Sequence, residues 1–320
     1  MYTWKVRNAR HIRGIRAAHR KCTARIEPIL SRFTGSFKVA GSVGIGCYAT
    51  GADAVLFRVL GPLSVSDHDG KFIDISRRKN RGLLALLLLH ANVAVSQSYL
   101  VEHLWDGRPP KSADSNLKTY IFQLRRLLSS THLPEPRIVT SRNGYALMVG
   151  HEDLDAAAFD LLVAEGRRRL ADGDPRRAYE LLEKALGLWR GDPLHGIDLA
   201  GDLAPWAGRL REEHVSATED FFDVKLRLGR NWELIGRLRA WTSAHTLRER
   251  PHGQLMLALH RSGRHAEALD VYRNLRHALV THVGTEPGAD VRDLHQRILR
   301  DDPALLPENG NREFWRLSMR

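Results

Sequence analysis

The chain has 320 residues and a formal net charge of +12, a length that suggests about two domains at ~100–200 residues each. Hydrophobic residues at 43% and charged residues at 27% exclude a disordered or collagen-like chain, and the longest apolar run, Leu83 to Leu89, is too short to span a bilayer. Two cysteines, Cys22 and Cys47, supply neither a disulfide framework nor a zinc cluster. No secretory signal pattern occurs, so a reduced cytoplasm is the expected compartment.

The charge is unevenly placed. Residues 1–52 carry ten Lys/Arg and one acid, Glu27. Residues 53–150 carry 13 basic and 8 acidic side chains, and residues 151–320 carry 26 and 28. The first segment has Arg10, Arg13, Arg16 and Arg20 at helical spacing, then a Gly/Ala/Ser-rich stretch from Gly35 to Gly51. It reads as a mostly disordered basic extension of no defined role, as an arm attracted to phosphates, or as an Arg-rich transit sequence. The mildly basic middle segment has the balance of a nucleic-acid-binding module.

Strands are predicted first in the middle segment. Val55 to Leu60 is β-branched and apolar, Gly61-Pro62 punctuates it, Leu63 to Ser66 alternates, and Asp67-His-Asp-Gly70 turns into Phe72 to Ile75. A helix follows over about Lys79 to His90. A second, short helix near Ser96 to Leu104 has Ser96 as its N-cap, and a third runs from Ser112 or Ala113 to Leu128. Strands over Arg137–Thr140 and Tyr145–Val149 flank Ser141-Arg-Asn-Gly144, whose Asn-Gly pair signals a hairpin. This order is that of a winged helix-turn-helix with an N-terminal sheet. The third helix is its recognition helix and the hairpin its wing.

Beyond Leu154 the pattern is helical throughout, with helices expected over 155–171, 175–189, 205–228, 231–246, 252–262, 265–282 and 288–300. Glycine turns recur at Gly173, Gly229 and Gly263. The last two are 34 residues apart, the period of tetratricopeptide hairpins, which must stack to bury their faces. Trp189, Trp206, Trp232 and Trp241 fall on helical patterns as packing residues. The expected fold is an α+β winged helix-turn-helix domain followed by an all-α tetratricopeptide-like helical domain. The expected boundaries are 1–52, 53–150, 151–302 and a loose tail over 303–320.

On the third helix, at about 100° per residue, Leu117, Ile121, Leu124 and Leu128 form one apolar stripe that faces a core. Opposite it lie Ser112, Ser115, Asn116, Thr119, Gln123 and Arg126. Lys118 and Arg125 sit on one flank, Tyr120 and Leu127 on the other. Amides and hydroxyls beside cations suit a major groove, since Asn and Gln both donate to and accept from adenine, while Arg and Lys hold phosphates. Arg142, at the wing tip, is placed to reach a minor groove or a phosphate. Arg77, Arg78, Lys79 and Arg81 cluster at the start of the first helix, as a phosphate contact or as a solvated charge run.

The middle segment resembles the response-regulator-type winged helix in Phe57-Arg-Val-Leu-Gly-Pro-Leu63, Leu100-Val-Glu-His-Leu-Trp105, Leu124-Arg-Arg-Leu-Leu128 and Gly144-Tyr-Ala-Leu147. The helical half is similar to the bacterial transcriptional activation domain in Ala185-Leu-Gly-Leu-Trp-Arg-Gly191, Leu255-Met-Leu-Ala-Leu-His-Arg-Ser-Gly-Arg264 and Gly284-Thr-Glu-Pro-Gly288. Over residues 55–302 the chain thus resembles the small Streptomyces antibiotic regulatory proteins. The resemblance implies an activator of secondary-metabolite genes in the cytoplasm, at the nucleoid. It would bind direct repeats in promoter DNA as a head-to-tail homodimer and engage RNA polymerase holoenzyme. It also implies that Asn116, Lys118, Thr119, Tyr120 and Gln123 meet bases or nearby phosphates, and that Arg125 and Arg126 form the family's basic pair. Phe122 and Gln123 depart from the Ser-Arg common there, and His260 stands where Tyr is common.

No catalytic, cofactor or metal residues are expected. Gly41 to Gly46 has phosphate-loop glycine spacing but continues Cys-Tyr. No His-Glu-x-x-His occurs, and His277 and His282 lie five apart, off the one-turn spacing of a helical metal pair. The alternatives are a helical-repeat adaptor whose winged helix binds protein, and a repressor.

Overall fold

A computed structural model describes residues 57–67, 69–129, 137–150 and 152–306. The expected basic extension over 1–52 and the tail beyond Leu306 lie outside the described residues.

The first lobe opens on an antiparallel sheet of β1 (Phe57–Arg58), β2 (Ser64–Ser66) and β3 (Phe72–Ile73), with Phe57 opposite Val65 and Val65 opposite Ile73. Three helices follow: α1 (Arg78–Leu89), α2 (Gln97–Leu104) and α3 (Ala113–Ser129). The leucine run of α1 is buried from Leu83 to Leu88, which fixes it as the central helix of the lobe. Ser96 caps α2, its hydroxyl accepting from the Tyr99 amide at 3.2 Å. A second sheet, in the order β4 (Val95–Ser96), β6 (Gly144–Leu147), β5 (Ile138–Ser141), forms the wing and ties it to the α1–α2 connection. β4 has only two residues, too few to show an alternating pattern.

The hairpin forms where Asn-Gly signalled it, with a different geometry. Ser141 pairs with Gly144, so Arg142 and Asn143 are the loop residues. Neither has a positive φ, so this is not the turn that Asn-Gly favours. Gly144 is a strand residue. A Cβ there would overlap the Val95 carbonyl oxygen and lie 2.9 Å from Ser96 Cα. Glycine is required because the two backbones approach too closely for a side chain.

The second lobe contains seven α-helices among the described residues: α4 (Asp155–Ala171), α5 (Pro175–Gly187), α6 (Leu203–Arg227), α7 (Asn231–Ala244), α8 (Glu249–Arg261), α9 (His265–His282) and α10 (Ala289–Leu299). Consecutive helices pack as antiparallel hairpins. The turns at Gly173, Gly229 and Gly263 all take a left-handed φ, between +74° and +84°, which a glycine adopts without a Cβ penalty. Asp174 caps α5, with Pro175 in its first turn. Trp189 packs edge-on against Phe159 and stacks on His214, and Trp241 packs edge-on against Phe222. Trp232 departs from its expected packing role and is 74% exposed. At the start of the expected tail, Pro303–Leu305 is a 3-10 turn and the Leu305 carbonyl accepts from Arg261.

The lobes are joined by a buried carboxylate. Asp155, 1% exposed at the start of α4, accepts from the Val59 amide at 2.8 Å and the Leu60 amide at 3.0 Å. Around it Arg190 N–H donates to the Leu60 carbonyl, Leu194 N–H to the Val59 carbonyl, and Phe57 N–H to the Asp153 carbonyl. Residues 59–60, read from sequence as strand, spend their amides on the helical lobe instead of on a sheet ladder. Burial raises the Asp155 carboxyl above its ordinary pKa, opposed by the amide donors and the Arg190 guanidinium.

Candidate nucleic-acid interface

The apolar stripe of α3 holds as read: Leu117, Ile121, Leu124 and Leu128 are buried, joined by Ala113. It fixes the rotation of the helix, and the outward side chains are Asp114, Ser115, Lys118, Thr119, Phe122, Arg126 and Ser129. This face is turned toward Lys118 relative to the stripe read from the sequence. Its centre is Phe122, 67% exposed, which the search for hydrogen-bonding side chains passed over.

On the other side the amides are partly engaged. Asn116 is half-buried and its amide donates to the Ser112 hydroxyl at 3.2 Å. Gln123 is half-buried too, its carbonyl accepting from the Asn80 amide of α1 at 3.0 Å. Tyr120 lies over Trp105 with ring centroids 6.2 Å apart. Thr119 donates its hydroxyl back to the Ser115 carbonyl within the helix.

The basic residues fall into two groups. Arg125 faces the wing: its Nε donates to the Ile138 carbonyl at 2.9 Å, its Nη2 to the Thr140 hydroxyl at 2.7 Å, and its guanidinium lies over the Tyr145 ring. Lys118, Arg126 and the wing-tip Arg142 are exposed and have no ion pair among the described residues. In the cluster at the start of α1, Arg78 reaches the helical lobe. Arg78 pairs with Asp198 at 2.7 Å, and Lys79 donates to the Leu104 carbonyl and lies over Trp105. Both line a cleft of about 200 Å³ between the lobes.

One cluster of metal-ligating types exists among the described residues: His260, His265 and Asp301. The two imidazoles spend their facing nitrogens on each other at 3.0 Å, while the other nitrogen of His260 points toward Asp301 at 3.9 Å. His277 and His282 are exposed on α9. No described helix is long and apolar enough to cross a membrane.

Residues 73–147 match the family described as "Transcriptional regulatory protein, C terminal", and residues 154–299 match "Bacterial transcriptional activator domain". The chain is 37% identical over 258 residues to the regulatory protein DnrI of Streptomyces peucetius, covering 79% of this chain and 94% of DnrI. It is 35% identical to the regulatory protein AfsR of Streptomyces griseus, of whose length it spans 25%. A solved structure of Mycobacterium tuberculosis EmbR in complex with a low-affinity phosphopeptide superposes with a TM-score of 0.75 at 31% identity, covering 78% of this chain and 66% of that one. With a winged helix whose outward α3 face is exposed and a stacked helical lobe beside it, the chain belongs to the Streptomyces antibiotic regulatory protein family, the DNA-binding transcriptional activators.

Proposed function

We propose that the chain binds direct repeats in the promoters of a secondary-metabolite gene cluster, as two protomers head to tail, and recruits RNA polymerase holoenzyme through its helical lobe. The observation that carries this reading is the outward face of α3. In the two-lobe chain Ser115, Lys118, Thr119, Phe122 and Arg126 stay exposed, as does the wing-tip Arg142.

Roles follow from the engagement of each side chain. Lys118, Arg126 and Arg142 are the phosphate and minor-groove cations. Thr119 and Asn116 present hydroxyl and amide groups to base edges. Gln123 has its carbonyl held by Asn80, which leaves its NH2 as a donor. It then suits an acceptor such as guanine O6 or a purine N7, and the two-way adenine pairing is weakened. Arg125 acts through the wing it holds, and Tyr120 through its stacking on Trp105. The cytoplasm, at the nucleoid, is the compartment this activity requires.

Footprinting of the full chain on promoters of a neighbouring biosynthetic cluster tests the reading. The expected result is protection of two repeats about one helical turn apart (~10–10.5 bp), with affinity falling steeply as salt rises. Equal affinity for promoter and random duplexes at one salt concentration overturns it. A reporter fused to the same promoter separates activator from repressor, since deletion of the gene lowers output only for an activator.

A further inference from the structure

We infer that Phe122 is a specificity residue that reads the C5-methyl group of a thymine in the major groove. The inference rests on the placement of α3 proposed above and deepens it by naming the base feature read.

Phe122 lies in the middle of the exposed row of α3, one turn from Lys118 on one side and from Arg126 on the other. Residues four apart are neighbours on a helix surface, so the phenyl ring stands between two cations that have no ion pair among the described residues. It is 67% exposed, while the apolar stripe of the same helix is fully packed, so the core makes no use of it. A lone exposed ring is ordinary on a protein surface, and Phe72 and Trp232 are about as exposed; what singles out Phe122 is its place between those two cations on the helix proposed to enter the groove. The flanking positive charge selects a polyanion as the cover, which disfavours an apolar protein surface.

On a duplex the choice of contact narrows further. A phenyl ring neither donates nor accepts a conventional hydrogen bond, so it is blind to the amino, carbonyl and ring-nitrogen pattern of the groove. The one apolar group that the bases present there is the thymine methyl. Lys118 and Arg126 engage phosphates on either side and hold the ring at the base edges. The operator carries a thymine at a fixed place in each repeat, and a cytosine there, which lacks the methyl, is discriminated against.

The test uses the full chain and a duplex that it selects from a random-sequence pool. Each thymine of the selected site is replaced in turn by deoxyuridine, which removes the methyl and leaves the hydrogen-bonding edge intact. Affinities are measured at one salt concentration. Removing one buried methyl is expected to cost about fourfold in affinity at one thymine per repeat. Phe122→Ala is expected to bind the thymine duplex at least that much more weakly and to lose nothing further on the deoxyuridine duplex, while Phe122→Leu keeps part of the sensitivity. Because the ring is exposed, these variants should melt with the native chain, and a melting curve checks that. The inference is overturned if no thymine is methyl-sensitive, or if Phe122→Ala keeps the full deoxyuridine penalty. If Lys118→Ala with Arg126→Ala still weakens every duplex in those cases, α3 lies on DNA and only the role of Phe122 falls. If that double variant binds like the native chain, or if the pool enriches no sequence, the placement of α3 falls with it.

Discussion

In the proposed reading, Arg125 and Gln123 let one helix serve both the wing and the base edges. Arg125 spends two donors on β5, and hydrogen bonds from a charged group contribute about 1.5–3 kcal/mol each before solvent exposure reduces them. Arg125→Ala is therefore expected to weaken binding to all sequences alike and to lower the melting temperature, as a phosphate contact alone would not do. A binding series combined with calorimetry checks this. Gln123→Ala is expected to relax preference at one base position by about 1–3 kcal/mol, read by competition among single-substituted operators, and to lower the melting temperature as well, because it strands the buried Asn80 amide. The apolar stripe that orients these residues was legible in the sequence, because period and burial are local properties. Their partners were not, because Asn80 and Ile138 come from other elements and no spacing encodes them. Phe122 was legible only as a departure from the family's pattern, because an aromatic ring carries no hydrogen-bonding signature.

At the scale of elements, the helices were the most legible, since their apolar periods are local and several start or end on a recognisable cap or glycine, as α2 does at Ser96 and α5 at Asp174. The wing was only half legible. The Asn-Gly pair marked a hairpin, yet the strict need for glycine comes from β4, a two-residue strand about fifty positions upstream. Gly144→Ala is expected to push β6 away from β4 and to lose wing order before the rest of the lobe melts. Hydrogen exchange of the Tyr145 and Gly144 amides against that of α1 measures the difference, and equal protection in the variant would show that the backbone adjusts freely. Trp232 carried a helical pattern but lies on the outer side of α7, a reminder that periodicity identifies a helix without saying which neighbour covers it.

For the whole molecule, the two lobes share one continuous set of buried side chains, and Asp155 closes the join. Asp155→Ala would strand the Val59 and Leu60 amides in a dry site, at about 1–3 kcal/mol for each unsatisfied group. The expected result is a lower melting temperature for both lobes together, which calorimetry reports as one shifted transition. A second whole-molecule property is acid sensitivity. Burial lowers the His252 and His260 pKa values below the usual histidine range, so both stay neutral in the fold and take up protons when it opens. Stability should be flat above about pH 6.5 and fall below it, by up to about 1.4 kcal/mol per pH unit for each histidine. His260→Phe is expected to flatten that fall, as measured by denaturation at pH 7.5 and pH 5.5. None of this was visible in the sequence, because burial of Asp155, His252 and His260 comes from elements far along the chain.

The shared carboxylate also has a geometric consequence for transcription. In the proposed function, Asp155 couples the part that grips the double helix to the part that meets the polymerase, so the bearing of the second is expected to follow the angular phase of the first. Moving the operator upstream by half a turn, about five base pairs, should swing the array to the far side and silence the promoter. A full turn, about ten base pairs, should restore much of the output. Output indifferent to that phase would mean that the join yields.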